Sequence, residues 1–469
     1  MSADTGGRIY CDEYRWRIQE QLREITEFVE APREVKNAEE LEALEQEIRH
    51  LTDHLGGLLV GHHLQQVLSS AAVKEEESAL VKSWPRRLNS DGFVKVRVRT
   101  VQGLSCEVQA RYCRQKRERT RRGEGLYPGL AVLGIQNRCT PGLASEVSQL
   151  SAILGSLEEA QTVLEGRGVL LNIKTVRSIS YAYAERARRM QQLGALKFEQ
   201  TVAARRVVIS CDGGRVRLRE PKRGRKTAKG RTRYQGAWRE PKLIIVYVVD
   251  SSGRLEKQFS PVIDGLLKEP DAIFQLLQSY LSRLGIAQAE QVLFVADGAT
   301  WIWNRVAKLF SALGLKSSQT YELVDFYHAV EHLGKVASLR KSWSSKQRRR
   351  WTKRQRHLLL KGQVEQVVGA VCDICRGRHS KAIRTEREYF VKNAARMAYD
   401  QLKALKLPIG SGGVESAVRR VINLRLKGAC IFWYRENAEA MLMLRAFYKA
   451  GRWNMLKNMA NSPLALAAS

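Results

Sequence analysis

The sequence predicts a mixed α/β fold: a mixed sheet interrupted by an all-helical insertion, with a mainly helical region before it. Three observations predict it. Largely apolar runs such as VVISC (207–211), LIIVYVV (243–249) and VLFVA (292–296) have the length and β-branched content of buried strands. Stretches with apolar residues every three or four positions, DAIFQLLQSYLSRLG (271–285) and 302–313, alternate with the later runs as helices do. Between roughly 329 and 407 strand signals vanish and the chain reads as helical.

At 469 residues the chain has room for roughly three domains. With 44% hydrophobic residues it can bury a sizeable core. The pattern divides it into a helical and small-β region (1–135), a helix-turn-helix-like DNA-binding region (136–200), the first part of the sheet domain (201–333), a basic helical insertion (334–407) and C-terminal helices returning to the sheet (408–469). The formal charge of +31 and the pI near 10.0 exceed what solubility requires. Such an excess of cations concentrates polyanions and makes their binding salt-dependent through counterion release, so DNA is the expected partner. No run approaches the roughly 18 uninterrupted apolar residues of a membrane span, and the start MSADTGGRIYCDEYRW lacks a signal-peptide core. A cytoplasmic, nucleoid-associated protein with no membrane association is expected. Eight cysteines at irregular spacing do not make a disulfide framework. Cys372 and Cys375 have a metal-like gap, but no second pair accompanies them, so zinc is not expected.

Taken in order, LREITEFVE (22–30) and the run 41–68 carry helical periodicity, with His62 and His63 as surface or core residues. GFVKVRVRTVQGLSCEVQARYC (92–113) alternates as a small β-element does, and the basic run 114–125 reads as a loop. Residues 140–190 break into short amphipathic helices. Ser156 to Glu159 is a capping-box pattern, Gly166 and Gly168 end that helix, and another starts near Asn172 or Thr175 with Lys174 and Arg177 in its first turns. This fits a helix-turn-helix presenting Lys174 and Arg177 to DNA; a plain helical bundle fits the same signals.

From 205 strands take over. RRVVISCDGG ends at Asp212, and RVRLRE (215–220) follows the Gly213-Gly214 turn as a hairpin partner does. A basic loop (221–236) leads to KLIIVYVVD, and the order becomes three strands, helix, strand, helix, strand, which matches the ribonuclease H-like arrangement. The insertion opens with residues 334–361, which hold eleven Lys and Arg and no acid. Mutual repulsion makes that run a costly way to be merely soluble. Arg348, Arg349, Arg350, Lys353 and Arg354 are candidate DNA contacts. Trp343 and Trp351 among them fit either stacking on exposed bases or anchoring in a core.

Two acids end apolar strands before a glycine, Asp212 in ISCDGG and Asp297 in FVADGA. In the ribonuclease H-like order the first and fourth strands are neighbours, which puts these carboxylates side by side. Their repulsion calls for a cation, and hard divalent ions prefer oxygen ligands. A third carboxylate is expected from beyond the insertion: Glu415, in the first turn of a helix starting near Val414, with Arg419 one turn on to meet a phosphate. GSGG (410–413) lacks the lysine and preceding strand of a phosphate-binding loop. With Asp212, Asp297 and Glu415 together, two Mg²⁺ (or Mn²⁺) ions suit phosphodiester chemistry.

CDGGRVRLRE (211–220), ADGATWIWN (296–304), DFYHAVEHL (325–333) and GSGGVESAVRRVINLRLKGACIFWYRENAEAMLMLRA (410–446) together resemble bacterial insertion-sequence transposases of the DDE class, ISKra-like group, over about residues 205–450. The resemblance implies that Asp212, Asp297 and Glu415 hold the catalytic metals. It implies also that Asp325 and His328, matching a Cys-or-Asp, two residues, His motif, brace the sheet against the insertion close to DNA. The N-terminal region departs from the family in lacking paired zinc-binding CxxC units. The expected activity is metal-dependent DNA cleavage and strand transfer at the ends of a mobile element, by a homo-oligomer that holds both ends. A structure-selective nuclease on the same fold and a non-catalytic DNA-binding regulator are the alternatives.

Overall fold

The computed structural model describes residues 5–85, 87–115, 125–228, 230–377 and 380–462, with side chains from Tyr10 onward. Most of the basic loop expected at 114–125 lies outside the described residues. The chain forms two compact units, Met1–Leu196 with Asn454–Ser469, and Lys197–Trp453.

In the first unit α1 (Thr5–Glu30) and α2 (Ala38–Ser69) form a helical hairpin. Asn37 caps α2 by accepting the Glu40 N–H at 2.9 Å, and the Glu40 carboxylate accepts the Lys36 N–H in return. After α3 (Ala71–Ser83), β1 (Leu88–Arg99) and β2 (Ser105–Gln115) pair antiparallel, and β3 (Gly125–Leu126) adds to β2 ahead of the short α4 (Pro128–Val132). The alternation that predicts strands here buries Val96, Val98, Val108 and Ala110 on one face. Next come α5 (Pro141–Ile153), α6 (Leu157–Glu165) and α7 (Ile173–Gln192). They close around Leu143, Val147, Leu164, Val176 and Ile179. Ser156 and Asn172 cap α6 and α7 through the Glu159 and Thr175 N–H groups, at the starts that the sequence signals.

The second unit carries a five-stranded mixed sheet. Its strands are β4 (Arg206–Gly213), β7 (Lys242–Val249), β8 (Val262–Leu266), β9 (Gln291–Ala296) and β10 (Thr320–Val324), in the order β10-β9-β4-β7-β8. β4, β7 and β8 pair antiparallel; β9 and β10 run parallel to β4. Every residue of β7 is buried, so both faces of the sheet are covered. β5 (Val216–Pro221) and β6 (Tyr234–Arg239) form a separate two-stranded ribbon. This corrects the expected hairpin: 215–220 does not return along β4. The Gly214 N–H is held by the Pro241 carbonyl, and β7 takes the place beside β4 in full register from Arg206–Val249 to Gly213–Lys242. Three antiparallel strands do precede the first helix of the sheet, but the third is VIDGL (262–266), which is not among the apolar runs that predict strands.

Helices α8 (Pro270–Arg283) and α9 (Thr300–Ala312) link β8, β9 and β10. The stretch after β10 is helical: α10 (Phe326–Leu339), α11 (Ser345–Leu360), α12 (Val364–Cys375), α13 (Lys381–Asn393) and α14 (Tyr399–Ala404). The chain then returns to the sheet with α15 (Gly412–Val418), which runs into a π turn at Arg419–Asn423, and α16 (Arg435–Lys449). The sequence is thus mixed α/β, with parallel strands in its main sheet. In α17 (Trp453–Ala460) the chain leaves this unit; from Asn454 it groups with the first, where the Arg186 guanidinium donates to the Ser462 carbonyl. Among the described residues no helix is long and apolar enough to cross a membrane.

Candidate functional site

Three mutually parallel strands carry an acid at or just past their carboxyl ends. The last couple of the β4–β9 ladder is Ile209 with Phe294, and three positions further along each strand stand Asp212 and Asp297. The last couple of the β9–β10 ladder is Ala296 with Val324, and one position further stand Asp297 and Asp325. Neighbouring strands lie about 4.8 Å apart. The carboxyl ends of adjacent strands therefore present Asp212, Asp297 and Asp325 at one level.

Each acid is held differently. Asp212 is half-buried and accepts the N–H of Gly213 at 2.7 Å. Burial pushes its carboxyl up to about 6; the charges of Asp297 and Glu415 add to this, and the Gly213 N–H and His328 oppose it. Asp297 is both a turn residue and a member of the site. Its carboxylate accepts the Ala299 N–H at 3.0 Å, its carbonyl accepts the Trp303 indole N–H at 2.7 Å, and its charge reaches Asp212. Gly298 follows because Tyr389 of α13 lies on the turn: a Cβ at 298 would stand 2.3 Å from the Tyr389 ring.

Asp325 is fully buried and joins three segments. Its N–H donates to the Ala296 carbonyl at 2.8 Å, one carboxylate oxygen caps α10 through the His328 N–H at 2.8 Å, and the other accepts the N–H of Ser411. The Phe326 N–H donates to the Ile409 carbonyl, so the strand end is stitched to the loop that starts α15. That loop delivers Glu415, whose exposed carboxylate accepts the Ser411 hydroxyl at 3.4 Å. Gly410 and Gly413 serve packing here: a Cβ would stand 2.8 Å from Tyr327 at the first and 3.0 Å from Tyr247 at the second.

One oxygen of Asp325, one nitrogen of His328 and one oxygen of Glu415 all lie within 4.8 Å of one another, a group able to bind a metal ion. This differs from the expected trio. Glu415 arrives where the sequence places it, but its nearest companions are the pair read as a structural brace; Asp212 and Asp297 stand beside that group without joining it. Each of those two carboxylates accepts a backbone N–H of its own loop. The sequence signal that brings Asp325 and His328 together is the motif DFYH itself: an N-cap acid puts the residue three positions on at the same helix end. His332 does not pair with His328. It bonds Glu386 at 2.6 Å and stacks on Tyr389 at 3.7 Å.

Of the basic candidates, Arg349, Arg350, Lys353 and Arg354 are exposed on α11, and Lys174 and Arg177 are exposed on the first turns of α7. Arg419 is exposed one turn beyond Glu415, where its helix widens into the π turn. Arg348 is half-buried, and its guanidinium donates to the Arg340 carbonyl at the end of α10 at 3.2 Å. Trp343 and Trp351 are half-buried against each other, ring centres 6.0 Å apart. No protein-family model matches this chain, and no curated protein matches it.

Proposed function

We propose that this chain is a DNA transposase of the DDE class, built on a ribonuclease H-like core, that binds the ends of a mobile element and catalyses metal-dependent cleavage and strand transfer. The observation that carries the reading is the row of three acids at one level on adjacent parallel strands, with Glu415 brought to it after a helical insertion. The strand order β10-β9-β4-β7-β8, with only the first three strands antiparallel in sequence, agrees with a ribonuclease H-like core. The charge of +31 supports a DNA substrate.

The donor set fits divalent cations. Carboxylate oxygens from Asp212, Asp297, Asp325 and Glu415 suit Mg²⁺ or Mn²⁺, and the His328 imidazole tilts the tightest group toward Mn²⁺. When bound by these residues, such ions would supply positive charge to the oxygens exchanged at a phosphodiester. The chain's own residues do the rest. Asp325 ties the strand end to the start of α10 through one carboxylate oxygen and to the loop before α15 through the other. Arg419 stands on the same helix as Glu415 to hold a phosphate, and the exposed cations of α11 hold the backbone of the element end.

Asp297→Asn tests the reading in an assay joining a labelled element end to a plasmid. The variant is expected to keep DNA binding and to lose both cleavage and joining. Retained cleavage would exclude this site; cleavage by the parent chain with no joined product would favour the structure-selective nuclease.

A further inference from the structure

The distal half of the α1–α2 hairpin has no core. No residue from 22 to 50 is buried, and 31–43 is exposed throughout. The base is anchored, with Tyr14 and Leu58 packed on Cys106 and the Tyr14 hydroxyl donating to the Glu107 carbonyl. Further out, the helices meet only along a half-buried seam of Ile25, Phe28 and Leu44. Beside that seam lies a second apolar stripe: Leu22 and Val29 are one heptad apart on α1, Leu41 and Ile48 one heptad apart on α2, and all are exposed, Val29 to 74%. A further helix covers such a stripe in helical assemblies.

Charge says which helix. Residues 27–47 hold eight acids against two bases, in a chain of net +31. Both bases are engaged locally: Arg33 lies 3.7 Å over the Phe28 ring and bonds Glu47, and Lys36 pairs with Glu34. This tip repels DNA and repels another acidic tip, and it attracts a cationic helix. Residues 334–361, with eleven bases and no acid, are its complement. There Arg350, Lys353 and Arg354 are exposed, and the half-buried Trp343–Trp351 pair offers apolar surface beside them.

We infer that, in the absence of DNA, the acidic tip of the α1–α2 hairpin docks on α11 of a second copy of this chain, covering the cations that the proposed function assigns to DNA. Each surface is exposed in its own unit. Each copy carries one of each surface, so the contact is head-to-tail and gives a closed pair, a ring or an open chain according to the rotation between copies. The apolar stripe supplies attraction and the opposed charges supply register.

Sedimentation velocity of the full chain without DNA tests this independently of any transposase activity. The parent is expected to self-associate at low salt and to dissociate as salt rises. The variant Glu39→Arg/Glu42→Arg/Glu45→Arg and the variant Arg350→Glu/Lys353→Glu/Arg354→Glu are each expected to sediment as monomers, with helix content unchanged by circular dichroism. An equimolar mixture of the two restores opposite charges at both contacts and is expected to recover the parent's association. A monomeric parent, self-association by the hairpin variant equal to the parent's, or a mixture that stays monomeric overturns the inference.

Discussion

Asp325 and Asp297 stand one position past the same rung of the β9–β10 ladder, yet only Asp325 is fully buried with both carboxylate oxygens bonded, one to the His328 N–H of the helix it caps and one to the distant Ser411 N–H. Asp297 bonds only its own turn. Asp325→Ala strands the N–H of Ser411 and uncaps α10, a loss of about 3 kcal/mol. Asp297→Ala is expected to cost about 1 kcal/mol or less. Urea unfolding of both variants measures the difference; equal losses would mean that Asp325 does not join the strand to the α15 loop.

Metal binding is expected to show as a rise in thermal midpoint. Mn²⁺ should raise the parent's midpoint more than Mg²⁺ does, because His328 contributes nitrogen to the group with Asp325 and Glu415. His328→Ala should erase the preference for Mn²⁺, and Glu415→Gln should weaken the response to both ions. An unaltered response in the two variants would put the ion elsewhere.

Asp212 gives a pH dependence whose sign is fixed by its raised carboxyl, about 6 in the metal-free chain against 3.8 when unfolded. The folded state holds this proton more tightly than the unfolded state. Its contribution to stability is therefore fully present below pH 3.8 and lost as pH rises through about 6. Asp212→Asn removes that loss: the metal-free variant should melt above the parent at pH 7.5 and level with it near pH 4, while strand cleavage disappears. A variant that melts below the parent at neutral pH contradicts this.

Neutralising α11 should change how DNA affinity responds to salt. Replacing Arg349, Arg350, Lys353 and Arg354 by Gln should flatten the log–log slope by roughly 1 for each phosphate contact removed. Titrations of one duplex at several salt concentrations give the slope, and an unchanged slope would clear α11 of phosphate contact.

Local chemistry made much of this legible. The apolar run 292–296 announces a buried strand because nothing but burial accommodates it, and Ser156 and Asn172 mark helix starts through bonds spanning three residues. Long-range pairing was not legible. Residues 215–220 alternate as a strand should, but nothing in them says that the partner is 234–239 instead of 206–213. VIDGL reads poorly because it carries an acid and a glycine. Its Asp264 is tolerated because the Tyr280 hydroxyl, sixteen residues on in α8, donates to it at 2.7 Å, and Gly265 leaves space for Leu442 of α16.

The candidate site divides the same way. Asp212, Asp297 and Glu415 stood out because acids at strand tips and helix starts are locally conspicuous. That Asp325 and His328 are Glu415's nearest companions depends on the loop at 409–411 crossing the end of β10, a juxtaposition of residues 86 positions apart.

That crossing also sets a timetable. Every strand of the sheet has been synthesised by Val324, yet Glu415 follows ninety-one residues later, after five helices. On the function proposed here, a chain still leaving the ribosome carries its strand-tip acids without their last companion, and the ability to cut DNA arrives only once Glu415 has emerged and docked.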